Sequence, residues 1–562
     1  MNILNVKVMR LILFFIGLVF VFGCKQEVQK QPSQNNFEDF IEDFSASEIG
    51  IARDKSLSNK AFMEELAYTR KTLDELLQID TAQLSFEQAI DWRFARSILK
   101  GKELRQANHQ SWKKDPREYM LFRSLGNIIE RPGKVDEKIE ELKERLQILP
   151  LQLENGKNQI EFYIPRFQEL SLFMAQNATG LFNTSLPEFA TTTNGEAELI
   201  LLINDAQKAL EDFVLYLTKE LPKKPLTGFE MGEETYNQML EQELLLDYTT
   251  ETLWQFGRAK FEATLTELEI LAKEIDSSKS WQELALEIKN DYPKPHEMIE
   301  AHQLWVDSSK AHILNHKLIP IPWEERVQVV PRAEYLRKTS YYGNFSRAKA
   351  KDELGILTAQ WMINPYEDWW DEKTKQEYLV EHDWGVIIVT APHESYGGHH
   401  VQGLYQMHNP RKIRRENGLS LFSEGWGLYN EQLMAETGFF PNKRIHLRQL
   451  QLRLWRNARV IYDVGMHSGR MTYEEAVALM TDKVGFLRWA AQLEIDSAAK
   501  SPGYFIGYYL GMSEILRIRD LYKQKMGARF TLGDFHEKLL KTGNMPPSLM
   551  EESLMSNLDT GT

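Results

Sequence analysis

The sequence predicts a mainly α, multi-helix protein with at most a small β element, and three observations carry that expectation. From Phe37 onward, apolar residues recur at three- and four-residue intervals among charges, the signature of helices that bury one face. Proline- and glycine-bearing breaks punctuate these stretches. At 562 residues, 43% hydrophobic and 26% charged, the chain is long enough for two or three domains with real cores, and disorder is not the default.

The first residues stand apart. Lys7 and Arg10 precede an apolar run from Leu11 to Phe22, too short to span a bilayer comfortably but right for a signal-peptide core. The run ends Val21-Phe22-Gly23-Cys24, and Cys24 is the only cysteine. A small residue followed by a lone cysteine resembles the lipobox of bacterial lipoproteins. Residues 1–23 are therefore expected to be removed and Cys24 lipidated, leaving no thiol for disulfides, metal or nucleophilic catalysis. Residues 24–36 read as a flexible tether, because almost nothing in them can be buried. The expected location is the bacterial cell envelope, on a membrane through the lipid anchor. Removing the leader leaves 65 basic against 81 acidic residues, a net −16, which is poor for nucleic acid.

Residues 37–350 are expected as an amino-terminal helical region and 351–562 as a carboxy-terminal catalytic one. In the first, Phe62 to Leu77, Phe86 to Leu104, Val135 to Leu153, Glu196 to Leu221 and Glu234 to Ile275 carry the helical period. Turns are expected at Arg131-Pro132-Gly133 and Asn194-Gly195, and a helix-to-helix connection at Leu221 to Pro225. Between Gly355 and Asp383 aromatic and acidic residues alternate around Trp369; such clusters can line a binding cleft, but more often they pack against the outer face, and no site is assigned to them. Trp384 to Val389 reads as a strand or a buried helix end. Pro392 suits the first position of a helix starting at His393.

The chemistry concentrates between His393 and Glu431. His393, Glu394, His399 and His400 fall within eight residues, and Glu424 and Glu431 follow, a mix that suits a divalent transition metal. Zinc hydrolysis needs three protein ligands, an open position and a carboxylate base. His393 and Glu394 supply a ligand and a base. The position four residues on, where an HExxH helix has its second histidine, is Gly397. On an unbroken helix neither His399 nor His400 shares an ion with His393. Gly397 and Gly398 are the residues best able to leave helical geometry and draw a histidine back. His399 is the expected ligand, with His400 nearby to support a ligand or touch substrate, although the choice between the two stays open. Glu424, Leu428 and Glu431 recur at helical spacing, so a second helix is expected to present Glu424 as third ligand, with Glu431 to support a ligand or bind substrate.

These residues resemble the family catalogued as domain of unknown function 885, whose signature is HExxPGHH followed by a phrase like FxEGWAxYxE. His393, Glu394, Gly398, His399, His400, Glu424, Gly425, Trp426, Tyr429 and Glu431 match; Gly397 stands where the family has proline and Gly427 where it has alanine. Arg145-Leu146-Gln147-Ile148-Leu149-Pro150 is similar to its RLxxxP helix, and Gly232 with Tyr236 to the segment opening a later helix. Arg459, Asp463 and His467 match its RxxxDxGxH phrase and lie at i, i+4 and i+8 on one helix face, suited to supporting the ligands or binding substrate. Ser501 to Gly511 resembles its Pro-Gly helix entry, with Tyr508 at its tyrosine position and Tyr504 where glutamine is usual. Phe535-His536 and Gly543 to Pro546 fit its closing phrase, with His536 structural. The resemblance implies a largely helical, gluzincin-like metallopeptidase fold with a central cleft.

The functional expectation is a membrane-anchored zinc metallopeptidase acting on a peptide substrate, with one zinc ion held by His393, His399 and Glu424. Glu394 is the catalytic base, and His467 and Tyr508 are the candidates to steady the oxyanion. Helical lipoproteins that bind peptides or glycans without cutting them, and metallohydrolases of another amide or ester, share part of this pattern.

Overall fold

The computed structural model describes residues 37–44, 55–130, 134–191, 196–332, 344–352 and 354–559, and helices dominate them. The leader, Cys24, the tether and the turns expected at Arg131 to Gly133 and Asn194-Gly195 lie outside the described residues. Among the described residues no helix is long and apolar enough to cross a membrane.

The amphipathic stretches fold close to where their periodicity places them. Helices run Asn59–Leu77, Phe86–Leu104, Val135–Gln159 and Glu196–Lys219. One expected helix is two: Glu233–Gln242 ends, and α1 (Thr250–Ile275) begins after a break. Leu245 sits in the break at φ 51°, and Thr249 starts α1 with a capping box to Thr252. A further helix, α2 (Met298–Asn315), leads to the sheet.

That sheet is small, with strands β1 (Glu325–Pro331), β2 (Asn344–Ser346) and β3 (Leu357–Ile363) in the order β1-β3-β2. β1 and β3 are parallel with Glu325 opposite Leu357, and β2 runs antiparallel to β3 with Asn344 opposite Met362. Val327 and Val329, then Ala359, Trp361 and Ile363, turn to the core at alternate positions.

Five helices build the site: α3 (Trp384–Glu394), α4 (His399–Met407), α5 (Ser420–Glu436), α6 (Lys443–His467) and α7 (Gly507–Met526). The stretch read as strand or buried helix end, Trp384 to Val389, forms the first part of α3. Its start is capped by Asp383, which accepts from the Val386 amide at 3.0 Å. The expected helix start at His393 is corrected: α3 ends at Glu394, with Pro392 in its last turn. Ile387, Ile388, Val389 and Ala391 are all buried, so no polar stripe marks the helical period. The motif is thus a helix, a break and a second helix.

The hydrophobic core of the described residues is divided into clusters. Its largest cluster draws on Phe37, Phe94, Tyr236, Ile313, Val329, Trp361, Trp426 and Leu554. A second cluster occupies residues 112–221, and a third packs α1 on α6. Helices α5 and α7 approach so closely that a Cβ on Gly425 would lie 2.5 Å from the Gly511 carbonyl carbon. Only glycine permits that spacing.

Candidate metal centre

Glycines create the break that joins α3 to α4. Gly397 takes φ +98°, and a Cβ on Gly398 would lie 1.8 Å from the His393 carbonyl oxygen, so the chain doubles back against the end of α3. The turn is held from α5: Trp426 Nε1 donates to the Gly397 carbonyl at 2.6 Å, and Asn430 Nδ2 donates to the same oxygen. His399 begins α4 immediately afterwards, its ring centroid 4.8 Å from that of His393.

One nitrogen of each ring and a carboxylate oxygen of Glu424 lie within 4.8 Å of one another. Glu424 Oε2 is 3.8 Å from His393 Nε2 and 3.4 Å from His399 Nε2. A tetrahedral ion with bonds of about 2.0–2.1 Å sets its ligands roughly 3.3 Å apart, so small side-chain movements close these residues around one. Gly427 supplies the room: a Cβ there would meet His393 Nε2 at 2.6 Å.

The surrounding groups prepare the donors. Glu431, fully buried, accepts from His393 Nδ1 at 2.8 Å, which leaves Nε2 as the unprotonated, ligand-bearing nitrogen when a metal is bound. Burial opposes charge on His393, yet Glu424 and Glu431 outweigh it and raise its pKa to about 10. Burial likewise opposes ionisation of Glu424, but His399 and His393 hold its carboxyl well below the ordinary range. Two carboxylates around these imidazoles demand a positive charge, which a proton or a divalent cation supplies. The donor set, two imidazoles and a carboxylate, suits zinc. These residues fit a metal ion.

Glu394 lines the same cleft as the three donors, a cavity of about 440 Å³ that Tyr508 and Arg459 also border. Tyr504 donates to Glu424 Oε1 at 2.9 Å, and its hydroxyl is 3.4 Å from that of Tyr508. Burial, reinforced by Glu424, keeps the Tyr508 phenol protonated well past its ordinary pKa.

The remaining sequence candidates are placed as follows. His400 does not join the three donors; it is buried, with Nε2 2.5 Å from Glu325 Oε2 at the start of β1, and Lys310 completes that cluster 2.7 Å from Glu325 Oε1. Arg459 pairs with Glu494 at 2.6 Å and lies over the Tyr508 ring, 4.0 Å from its centroid. Asp463 accepts from the Tyr236 hydroxyl and the Gly503 amide at 3.0 Å and from the Phe505 amide at 2.9 Å. It therefore fixes the turn that presents Tyr504 and Tyr508. The row of Arg459, Asp463 and His467 divides after its first member, since Arg459 borders the cleft and the buried Asp463 does not. His467 is not a lining residue of the cleft; Nε2 meets the Ala498 carbonyl at 3.0 Å and its ring packs against Tyr236 and Phe229. The reason is geometric: two turns beyond Arg459 along α6, it points into the joint with the helix that Gly232 opens, whose amide donates to the His467 carbonyl at 3.0 Å. His536 bridges the Tyr429 hydroxyl and the Leu318 carbonyl, both at 2.7 Å.

Two contributors carried little sequence signal. Glu325 heads a strand too short for its alternation to stand out, and Tyr504 was visible only as a departure from the family phrase. Their roles depend on helices brought together from distant segments.

Two solved structures share the fold. One, described as a "putative lipoprotein of unknown function" from Shewanella oneidensis, superposes with a TM-score of 0.77 at 20% identity over 93% of this chain and 100% of that one. The other, described as a "putative lipoprotein" from Colwellia psychrerythraea, gives 0.74 at 16% identity over 94% and 96%. None of the curated proteins matches. The metal-centre motif, the helical architecture and a match over residues 44–554 together place this chain in one family: it belongs to the bacterial proteins of unknown function grouped as DUF885.

Proposed function

We propose that the protein is a zinc-dependent hydrolase of peptide bonds, anchored to a bacterial envelope membrane through a lipid on Cys24. The observation that carries this reading is the convergence of His393, His399 and Glu424 in one cleft with Glu394 as its neighbour. The lipobox-like sequence at Cys24 and the two similar structures described as putative lipoproteins support the anchor. The mature net charge of −16 argues for a peptide rather than a nucleic acid as partner.

His393, His399 and Glu424 would hold a zinc ion, which would supply Lewis acidity toward a carbonyl and lower the pKa of water. The protein's own groups perform the proton transfers. Glu394 takes a proton from the attacking water as its oxygen bonds to the carbonyl carbon, then passes that proton to the amine nitrogen as the C–N bond breaks. Tyr508, held as a protonated phenol, donates to the carbonyl oxygen while negative charge builds on it. Glu431 keeps the His393 ring in orientation, and Asp463 holds the turn behind Tyr504 and Tyr508.

Metal analysis of the mature protein, with peptide turnover measured alongside, tests this. The wild type and Glu394→Gln are expected to carry about one zinc per chain and Glu424→Ala to lose it. Glu394→Gln should cut turnover by at least about 10²-fold. A metal-free wild type, or full activity in Glu394→Gln, overturns the reading.

A further inference from the structure

The cleft beside the metal centre is lined by Lys289, Arg448, Arg456 and Arg459, and all but one of these have a carboxylate within hydrogen-bond distance. Lys289 pairs with Glu381 at 3.0 Å, Arg448 with Asp383 at 2.9 Å and Arg459 with Glu494 at 2.6 Å. Arg456 is different. It is 6% exposed, and its Nη2 lies 3.8 Å from Glu431 Oε1, beyond hydrogen-bond reach of an oxygen already engaged by His393. Its Nε meets no hydrogen-bond partner among the described residues, and only Nη1 reaches an acceptor, the Leu452 carbonyl at 3.3 Å. The guanidinium carbon lies over the Trp455 ring, 4.1 Å from its centroid, and both residues line the cleft. Burial outweighs the pull of Glu431 and lowers its pKa, as expected for a cation with too little compensating charge.

A buried guanidinium with unused donors is the group best shaped to take a carboxylate in two parallel hydrogen bonds. We infer that Arg456 is the seat for a carboxylate on the substrate, from either a peptide's free carboxy terminus or an acidic side chain. Its position supports this, since it lines the same cleft as His393, Glu394, His399 and Glu424. Leu452, Trp455 and Phe486 beside it offer an apolar wall for the accompanying side chain. The inference rests on the peptide-hydrolase reading for its substrate class but is tested by binding.

The experiment uses the full mature chain carrying Glu394→Gln, so that binding is read without turnover, and calorimetry with three probes. These are N-acetyl-Ala-Ala-Phe, its carboxy-terminal amide, and N-acetyl-Ala-Ala-Glu amide. The free-terminus peptide, the side-chain acid or both are expected to bind at least tenfold more tightly than the probe without a carboxylate, and whichever gains identifies the source. Adding Arg456→Gln should remove that gain, and Arg456→Lys should restore part of it. Equal affinity for all three probes overturns the inference even if the wild type cuts peptides. A carboxylate preference that survives Arg456→Gln also overturns it. An Arg456-dependent preference in a protein that hydrolyses no peptide leaves the seat standing and removes the hydrolase reading instead.

Discussion

Glu431 never reaches the cleft-facing side of His393, yet the centre depends on it. Its carboxylate accepts from Nδ1 and so decides which nitrogen faces Glu424 and His399. Glu431→Ala is therefore expected to weaken zinc binding by roughly 10- to 100-fold, measured by competition with a chelator of known affinity. An unchanged affinity would show that the His393 ring needs no such partner. At this scale the sequence was informative wherever a residue type is demanded by chemistry: His393, Glu394, His399, Glu424 and Glu431 were legible as a set. It was uninformative where a partner comes from far away. Glu325 lies 75 positions from His400 and Glu494 lies 35 from Arg459, and no local pattern announces either pair. His467 shows the converse, since a histidine in phase with Arg459 and Asp463 ends two turns along the helix, in a packing joint.

Between α3 and α4 the break is the device on which the centre rests. It was visible as two adjacent glycines, but its direction was not, because residues 384–391 are apolar except for Thr390 and give little boundary signal. Pro392 was read as a start and belongs to an end. The two glycines also differ in what they do: Gly397 supplies a positive φ and Gly398 a close approach to the His393 carbonyl. Gly398→Ala should thus open the break, because its Cβ would collide with rigid backbone rather than a movable side chain. A loss of zinc and a destabilisation of about 1–3 kcal/mol are expected, read by metal content and urea unfolding. An alanine variant that keeps both would mean the break does not depend on that contact.

Across the whole molecule, the division at residue 350 separates segments that the fold then interleaves. β1 lies before it and β3 after it, yet they pair strand to strand from Glu325 to Pro331. The core clusters also straddle it: Ile313 of α2 shares one with Ile387 of α3, and Phe261 of α1 shares another with Ile461 of α6. His400 completes the argument, because its buried carboxylate partner is Glu325, itself 2.7 Å from Lys310 of α2. The helical class was legible because amphipathic period is local, whereas the sheet was not, since its strands are short and its pairing joins distant segments. A fragment of residues 351–562 contains every proposed zinc ligand but lacks β1, α1 and α2, leaving His400 unpaired and the apolar faces of α3 and α6 open to water. Expressed alone it is expected to be aggregated or without a cooperative thermal transition, and to bind no zinc in stoichiometric amount. Co-expression with residues 24–350 should recover a soluble, zinc-binding complex. A fragment that melts cooperatively and holds zinc by itself would make the carboxy-terminal half an autonomous metal-binding domain, with the amino-terminal helices only a cover.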